Sequence, residues 1–131
     1  MVLKINKNIR IKAIEIFKHK KRICVVLQLS FFENTLREFL EGPILSKEDY
    51  CTGYVEVLHK NYGKSYMDFL DKIKTEELTY SGDLGGLFDG VWFFGFDTAH
   101  SYNDMYPETK TFEYVKKRTI ELCEEMIKKK I

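Results

Sequence analysis

The sequence predicts an α+β domain in which an antiparallel sheet of about four to five strands packs against a C-terminal amphipathic helix and one or two short helices. Runs of apolar, β-branched and aromatic residues of strand length recur along the chain, separated by turn residues. Near the C-terminus, apolar residues recur every three or four positions, as on one face of a helix. The 131 residues, 44% of them hydrophobic and 31% charged, are expected to form one domain spanning residues 1–131.

The first two strands are predicted in the N-terminal part of the chain. Residues 9–17 alternate weakly, so a short helix is the competing interpretation there. The lysine-rich residues 18–21 then form a turn. Residues 22–29 are a nearly continuous aliphatic and β-branched run, which predicts the central strand of the sheet.

Three further strands are expected downstream. Residues 50–58 alternate and should pair with the central strand, and Gly53 within them marks a bulge or the close approach of another backbone. Residues 78–80 predict a short strand, followed by a glycine-rich turn over residues 81–86. Residues 91–96 are aromatic enough to be buried on both faces of the sheet.

Helical spacing appears in three places. The segment between Phe31 and Asp49 looks like an insertion between two paired strands and carries a short amphipathic helix. Residues 65–73 predict another short helix. The C-terminal helix should begin near Thr109 or Thr111, both suitable N-caps. Its core face consists of Phe112, Val115, Thr119, Leu122, Cys123 and Met126, with Ile127 beside them.

Charge and cysteine usage narrow the functional class. The net charge of +1 gives no overall field toward nucleic acid or an anionic membrane, so neither is expected as a partner. Cys24, Cys51 and Cys123 are far apart and odd in number, which favours reduced, buried thiols over disulfides or a metal site. Neither a signal peptide nor a membrane-spanning run is evident, so the protein is expected in the cytoplasm.

Three segments combine polar and aromatic side chains that could bind a small ligand. Residues 59–66 bring a histidine, a lysine and two tyrosines to a turn, residues 79–86 are rich in glycine, and residues 92–100 end an aromatic strand in an acid, a hydroxyl and an imidazole. An ordinary turn or hairpin is the competing interpretation for each. The predicted ligand-binding residues are His59, Tyr62, Lys64, Tyr66, Thr79, Tyr80, Ser81, Trp92, Asp97, Thr98 and His100.

Catalysis is the alternative use of these residues. If the protein is an enzyme, His59, His100 and Asp97 are the candidates for acid, base and orienting carboxylate of a hydrolase. The chain has no P-loop or dinucleotide-binding glycine fingerprint and no nucleophile in a recognisable context. Nothing in the sequence brings the histidines and Asp97 together, so no metal and no cofactor are predicted.

Taken together and in order, the motifs resemble a widespread family of small proteins of tailed phages and prophages. The resemblance rests on residues 53–55, His59 with residues 62–66, residues 78–82, residues 92–100 and residues 112–115, and it covers about residues 22–126. Lys60 replaces a proline that is usual in that family, and residues 75–77 replace its usual His-Gly-Gly. The family has no generally assigned activity, so the resemblance implies a viral accessory protein acting inside a bacterium.

Three functions remain open at this point. By analogy with other small phage proteins, the first is sequestration of a nucleotide immune signal, ADP-ribose-derived or cyclic, in a pocket that could span a homo-oligomer interface. The second is degradation of such a signal by a phosphodiesterase-like activity. The third is inhibition of a host defence or CRISPR effector through the inserted segment, residues 31–45. The sequence favours sequestration over catalysis.

Overall fold

The fold combines one sheet with one long helix. The computed structural model describes residues 9–31, 49–99, 103 and 105–131. Among them, five strands form an antiparallel sheet in the order β1-β2-β3-β5-β4. The strands are β1 (Ile9–His19), β2 (Arg22–Phe31), β3 (Tyr50–Glu56), β4 (Tyr80–Gly82) and β5 (Phe93–Asp97). Helix α1 (Phe112–Lys128) packs on β2 and β3, which confirms the α+β prediction.

Within the described ranges, no helix has both the length and the apolar character needed to cross a bilayer.

The first two strands form a long hairpin. Its turn consists of Lys20 and Lys21, both with positive φ (47° and 70°), as expected for a two-residue hairpin loop. The strand prediction for residues 9–17 is therefore confirmed over the helical alternative. The pairing register shifts between Ile11 and Ala13, so a bulge changes which face of the sheet the later β1 side chains occupy.

The middle of the sheet is β3 rather than β2, so the prediction that residues 22–29 form the central strand is wrong by one position. β2 pairs on both sides, with β1 and β3, and is buried for that reason. At Gly53, the structure shows neither of the two predicted features, a bulge or the close approach of another backbone, because side chains of α1 and β5 lie against this position. A Cβ at this position would lie 2.1 Å from Thr119 Oγ1 and 2.8 Å from the Phe96 ring.

The sheet has a hydrophobic core on each face. On one face, α1 covers β2 and β3 through Leu122, Cys123 and Met126, and Phe94 and Phe96 of β5 belong to the same core. On the other face, the segment 83–91 covers the sheet. The core on that side consists of Val25, Leu27, Leu29, Tyr50, Tyr54, Leu84 and Phe93. The prediction that the aromatic strand is buried on both faces is confirmed.

Two short elements differ from the prediction. Residues 65–73 contain a 3-10 turn, Tyr66–Phe69, in place of an α-helix. The short turn is enough to bury Phe69 and Ile73 while Leu70 stays half-exposed, so a longer helix would add no core contact. β4 covers Tyr80–Gly82 instead of residues 78–80, because these three residues are the ones that pair with β5.

The prediction for the C-terminal helix is confirmed almost residue by residue. Thr111, one of the two suggested N-caps, accepts a hydrogen bond from Tyr114 N at 3.3 Å. Thr109 instead lies inside the preceding 3-10 turn, Pro107–Lys110. The predicted core residues of the helix are buried, apart from the partly buried Phe112. The helix predicted between Phe31 and Asp49 lies outside the described residues.

Candidate functional site

The two ends of β5 carry different chemistry. Trp92 immediately precedes the strand and Asp97 ends it, so five residues, roughly 16 Å of extended chain, separate them. β3 runs antiparallel beside β5 and places the His59 turn at the Trp92 end. The predicted site residues therefore divide into two groups. We call His59, Tyr62, Lys64 and Trp92 the aromatic end.

At the aromatic end, three rings follow one another across the surface. The Tyr62 ring lies 5.2 Å from the Trp92 ring between centroids, and the His59 ring lies 6.1 Å from that of Tyr62. Tyr62 is 44% exposed. Because the rings are tilted by 39° and 54° rather than stacked face to face, part of the Tyr62 surface stays accessible to a planar ligand.

Backbone contacts hold these rings in place. Trp92 Nε1 donates to Lys64 O at 2.8 Å, which ties the turn to the start of β5. Val57 N donates to Trp92 O at 2.9 Å and continues the strand pairing. Gly63 has a φ of +83°, a conformation that side chains disfavour, and this glycine reverses the chain between Tyr62 and Lys64.

A buried asparagine anchors the same turn from below. Asn61 is 3% exposed, and its Nδ2 donates to Ile131 O at 2.9 Å. Leu58 N donates to the same oxygen at 2.8 Å. The turn is thus fixed to the segment that follows α1, and the rings above it sit on a rigid support.

The aromatic end is rich in cations. Lys60 and Lys64 are exposed, and residues 57–67 contain no carboxylate side chain. The hydrogen bonds from the turn to Ile131 bring the end of α1 to the same place, and Lys128 and Lys130 there are exposed too. Aromatic rings beside lysines form a surface suited to a nucleobase and its phosphates.

The second group of predicted residues borders a polar cavity at the other end of β5. The cavity measures about 410 Å³. The described residues that line it are Glu76, Glu77, Phe96, Asp97, Thr98, Asn103, Thr109, Tyr114 and Arg118. Asp97 Oδ2 accepts a hydrogen bond from Thr79 Oγ1 at 2.9 Å, and Oδ1 accepts one from Ala99 N at 3.0 Å. The Thr98 hydroxyl is bound on both sides to the Cys51 backbone.

An arginine crosses one wall of this cavity. Arg118 donates through Nε to Glu76, through another nitrogen to Thr75 O, and at 3.0 Å to Glu121. Burial raises the pKa of Glu76, and the hydrogen bond and charge of Arg118 counteract part of that rise. Burial lowers the pKa of Arg118, but the hydrogen bond and charge of Glu76 outweigh it and raise the pKa overall. The contacts of Arg118 fix residues 75–76 to α1.

The remaining predicted residues belong to neither group. Tyr66 packs against the core on the α1 side. Tyr80 makes an edge-to-face contact with Tyr54 at 5.3 Å on the opposite face of the sheet, and its hydroxyl accepts from Leu84 N. Ser81 lies on β4 and pairs with Phe94 of β5. His100 is outside the described residues.

The structure separates two of the three residues proposed for catalysis. His59 and Asp97 lie at opposite ends of β3 and β5, so they cannot act on one substrate atom. Among the described residues, no group of three His, Cys, Asp or Glu side chains could hold a metal ion.

The cysteines match their prediction. Cys24, Cys51 and Cys123 are free and buried. Burial raises the pKa of the Cys51 thiol to about 11. A hydrogen bond with Cys123, together with burial, raises the pKa of Cys24 far above its usual value. The Cys24 and Cys51 thiols are therefore poor nucleophiles, whereas the hydrogen bond with Cys24 lowers the pKa of the Cys123 thiol.

Most of the cavity lining was missed by sequence reasoning. Glu76 and Glu77 come from a segment without regular secondary structure, whose position depends on the tertiary fold. Tyr114 and Arg118 were missed although a signal existed, since a spacing of four residues places them on one side of α1, beside its core face.

Comparison of the chain with protein-family models, with curated proteins and with solved structures finds no match. The resemblance to phage proteins therefore stays a prediction.

Proposed function

We propose that the protein binds a small nucleotide at the aromatic end and, as a phage counter-defence protein, sequesters a host immune signal of that class. The observation that carries the proposal is the half-exposed Tyr62 ring, whose centroid lies 5.2 Å from that of Trp92 and 6.1 Å from that of His59. A nucleobase stacking on such a ring gains about 1–3 kcal/mol.

The surrounding charges suit the phosphates of such a ligand. Lys60 and Lys64 flank Tyr62 in sequence, and no carboxylate side chain interrupts residues 57–67. An ammonium group offers strong, charge-assisted hydrogen bonds to a phosphate oxygen. The context of defence signalling comes from the resemblance to phage proteins and from the analogy with other nucleotide sponges.

Binding without turnover is favoured over catalysis. The aromatic end offers one imidazole, His59, and no carboxylate that could orient it within residues 57–67. A stacking surface with cations can hold a ligand tightly enough to lower its free concentration without chemical change. The ligand should therefore be released intact when the protein is denatured.

Titration calorimetry with ADP-ribose and with a cyclic dinucleotide tests the proposal. Tyr62→Ala and Lys64→Ala should each weaken binding at least fivefold, in line with the loss of about 1 kcal/mol or more. Tyr106→Ala is the matched control, because Tyr106 is equally exposed, at 45%, and lies before the opposite end of α1.

Mass spectrometry of the recovered ligand separates the alternatives. An unaltered nucleotide supports sequestration, whereas a cleaved product supports the phosphodiesterase alternative. Equal affinities of wild type and Tyr62→Ala, or no measurable binding of either nucleotide class, would contradict the proposed site.

A further inference from the structure

We propose that the polar cavity at the Asp97 end of β5 is a second binding site, and that it takes a small organic cation carrying primary ammonium groups, such as a linear diamine. This site is separate from the aromatic end and does not depend on nucleotide binding. The inference rests on the orientation of a buried amide, on the balance of charges in the cavity and on the nature of its walls.

The buried amide is that of Asn103, which is 8% exposed and lines the cavity. Its Nδ2 donates to Thr109 Oγ1 at 2.8 Å, and the Thr109 hydroxyl donates its single proton to Tyr106 O at 2.6 Å. Thr109 Oγ1 can therefore only accept from Asn103, which fixes the orientation of the amide. Its carbonyl oxygen, for which the described residues supply no donor, is left as an acceptor for a ligand.

The charge balance points the same way. Among the residues that the structure describes, three carboxylates line the cavity, those of Glu76, Glu77 and Asp97, together with one guanidinium, that of Arg118. Arg118 is already paired with Glu76 and, outside the lining, with Glu121. The lining therefore carries a negative excess, and it offers acceptors more than donors. Such a cavity favours an ammonium group and disfavours a phosphate.

The walls add an apolar component. The ring of Phe96 is buried beneath the cavity, and the ring of Tyr114, 38% exposed, borders it from α1. Methylene groups can pack against these rings, and an ammonium group is attracted to the face of an aromatic ring. A volume of about 410 Å³ lies within the range of small-molecule sites and suits a short, flexible chain.

Calorimetric titration of the full chain with 1,4-diaminobutane tests this inference, with 1,4-butanediol as the uncharged control. The diamine should bind and the diol should not. Glu77→Gln should raise the dissociation constant of the diamine about threefold to fivefold, since Glu77 is exposed. Asp97→Asn should raise it about tenfold or more, because a carboxylate acceptor at the cavity becomes neutral.

The control variant is Glu113→Gln, which removes an exposed charge beside Tyr114 from a position outside the cavity lining. It should leave the dissociation constant unchanged. Because Asp97 is hydrogen-bonded to Thr79 and Ala99, thermal unfolding checks that Asp97→Asn remains folded, and Glu77→Gln carries the test if it does not.

The inference is overturned if the diamine fails to bind, if the diol binds equally well, or if Glu113→Gln weakens binding as much as Glu77→Gln. Neither Glu77→Gln nor Asp97→Asn should alter nucleotide binding. A loss of nucleotide binding in Tyr62→Ala with diamine binding intact would show that the two sites are independent.

Discussion

At the scale of single residues, Gly53 decides how closely α1 can approach the sheet. It lies in β3, the middle strand, directly beneath Thr119 of α1 and beside the ring of Phe96. The missing Cβ is what allows this contact, because any larger side chain would meet the Thr119 hydroxyl. Gly53 therefore sets the distance between α1 and the sheet, and β5, which carries a candidate site at each end, is part of that sheet.

Gly53→Ala should destabilise the fold by about 1–3 kcal/mol, the usual range for an overpacked core. The midpoint of urea unfolding measures this, with Ser81→Ala on β4 as the control. Thr119→Ala in the same chain should restore part of the loss, because it removes the nearest atom. A Gly53→Ala protein as stable as wild type would contradict the close packing.

The phenol of Tyr54 makes the stability of the fold depend on pH. Burial raises its pKa from 10.0 to about 12. Between pH 10 and pH 12 the phenol ionises in the unfolded chain but stays protonated in the folded one. The contribution of Tyr54 to the free energy of unfolding is therefore fully present below pH 10 and is lost as the pH rises through about 12. Two pKa units correspond to about 3 kcal/mol.

We expect Tyr54→Phe to remove much of the loss of stability between pH 10 and pH 12. Burial also raises the pKa values of Tyr50 and Tyr80, so a smaller slope should remain in the variant. Urea unfolding at pH 8, 10 and 11.5 measures the effect. Parallel curves for wild type and Tyr54→Phe would show that Tyr54 is not the group responsible.

At the scale of elements, Arg118 connects α1 to the irregular segment before β4. It holds both Thr75 and Glu76, and Glu125, about two turns further along α1, accepts from Lys74 N and Thr75 N. The segment has no regular secondary structure of its own, so these contacts determine its position and with it one wall of the polar cavity.

Arg118→Ala should cost about 1–3 kcal/mol in unfolding free energy, because it leaves the largely buried Glu76 carboxylate without its cation. Glu76→Gln in the same chain should recover part of this loss, since the uncharged amide tolerates burial better. Lys117→Ala, an exposed neighbour on α1, serves as the control. If Arg118→Ala and Lys117→Ala unfold at the same denaturant concentration, the connection contributes nothing to stability.

Sequence patterns predicted the elements where packing and periodicity agree. α1 was predicted with its N-cap and core face because positions such as Val115, Leu122 and Met126 repeat at helical spacing. Residues 65–73 show the same spacing but lack partners for a full helix, so a 3-10 turn suffices. The boundaries of β4 depend on its pairing with Gly95 and Phe94. The alternation of apolar and polar residues along the sequence carries no information about this pairing.

The candidate site, like the fold, could be predicted only in part from the sequence. The ring contacts of His59, Tyr62 and Trp92 join two segments that sequence reasoning had selected separately. The predicted set of ligand-binding residues also contains both Trp92 and Asp97, although a strand of this length separates the residues at its two ends. Register and strand order decide such distances, and neither can be read from the residues of one strand alone.

At the scale of the whole molecule, β5 joins two surfaces of opposite chemistry. Its start carries exposed rings and lysines, and its end borders an acceptor-rich cavity. A ligand with phosphates is favoured at the first and a cation at the second. The central claim is that the first of these surfaces, the aromatic end, binds a nucleotide through ring stacking.

The fluorescence of Trp92 tests this claim most directly, because it is the only tryptophan in the chain and its ring lies 5.2 Å from that of Tyr62. Titration with ADP-ribose or a cyclic dinucleotide should quench the emission and reach saturation, and Tyr62→Ala should shift the midpoint at least fivefold, in line with the loss of base stacking. Emission that stays constant with both nucleotides, or saturable quenching that Tyr62→Ala leaves unchanged, would contradict the account.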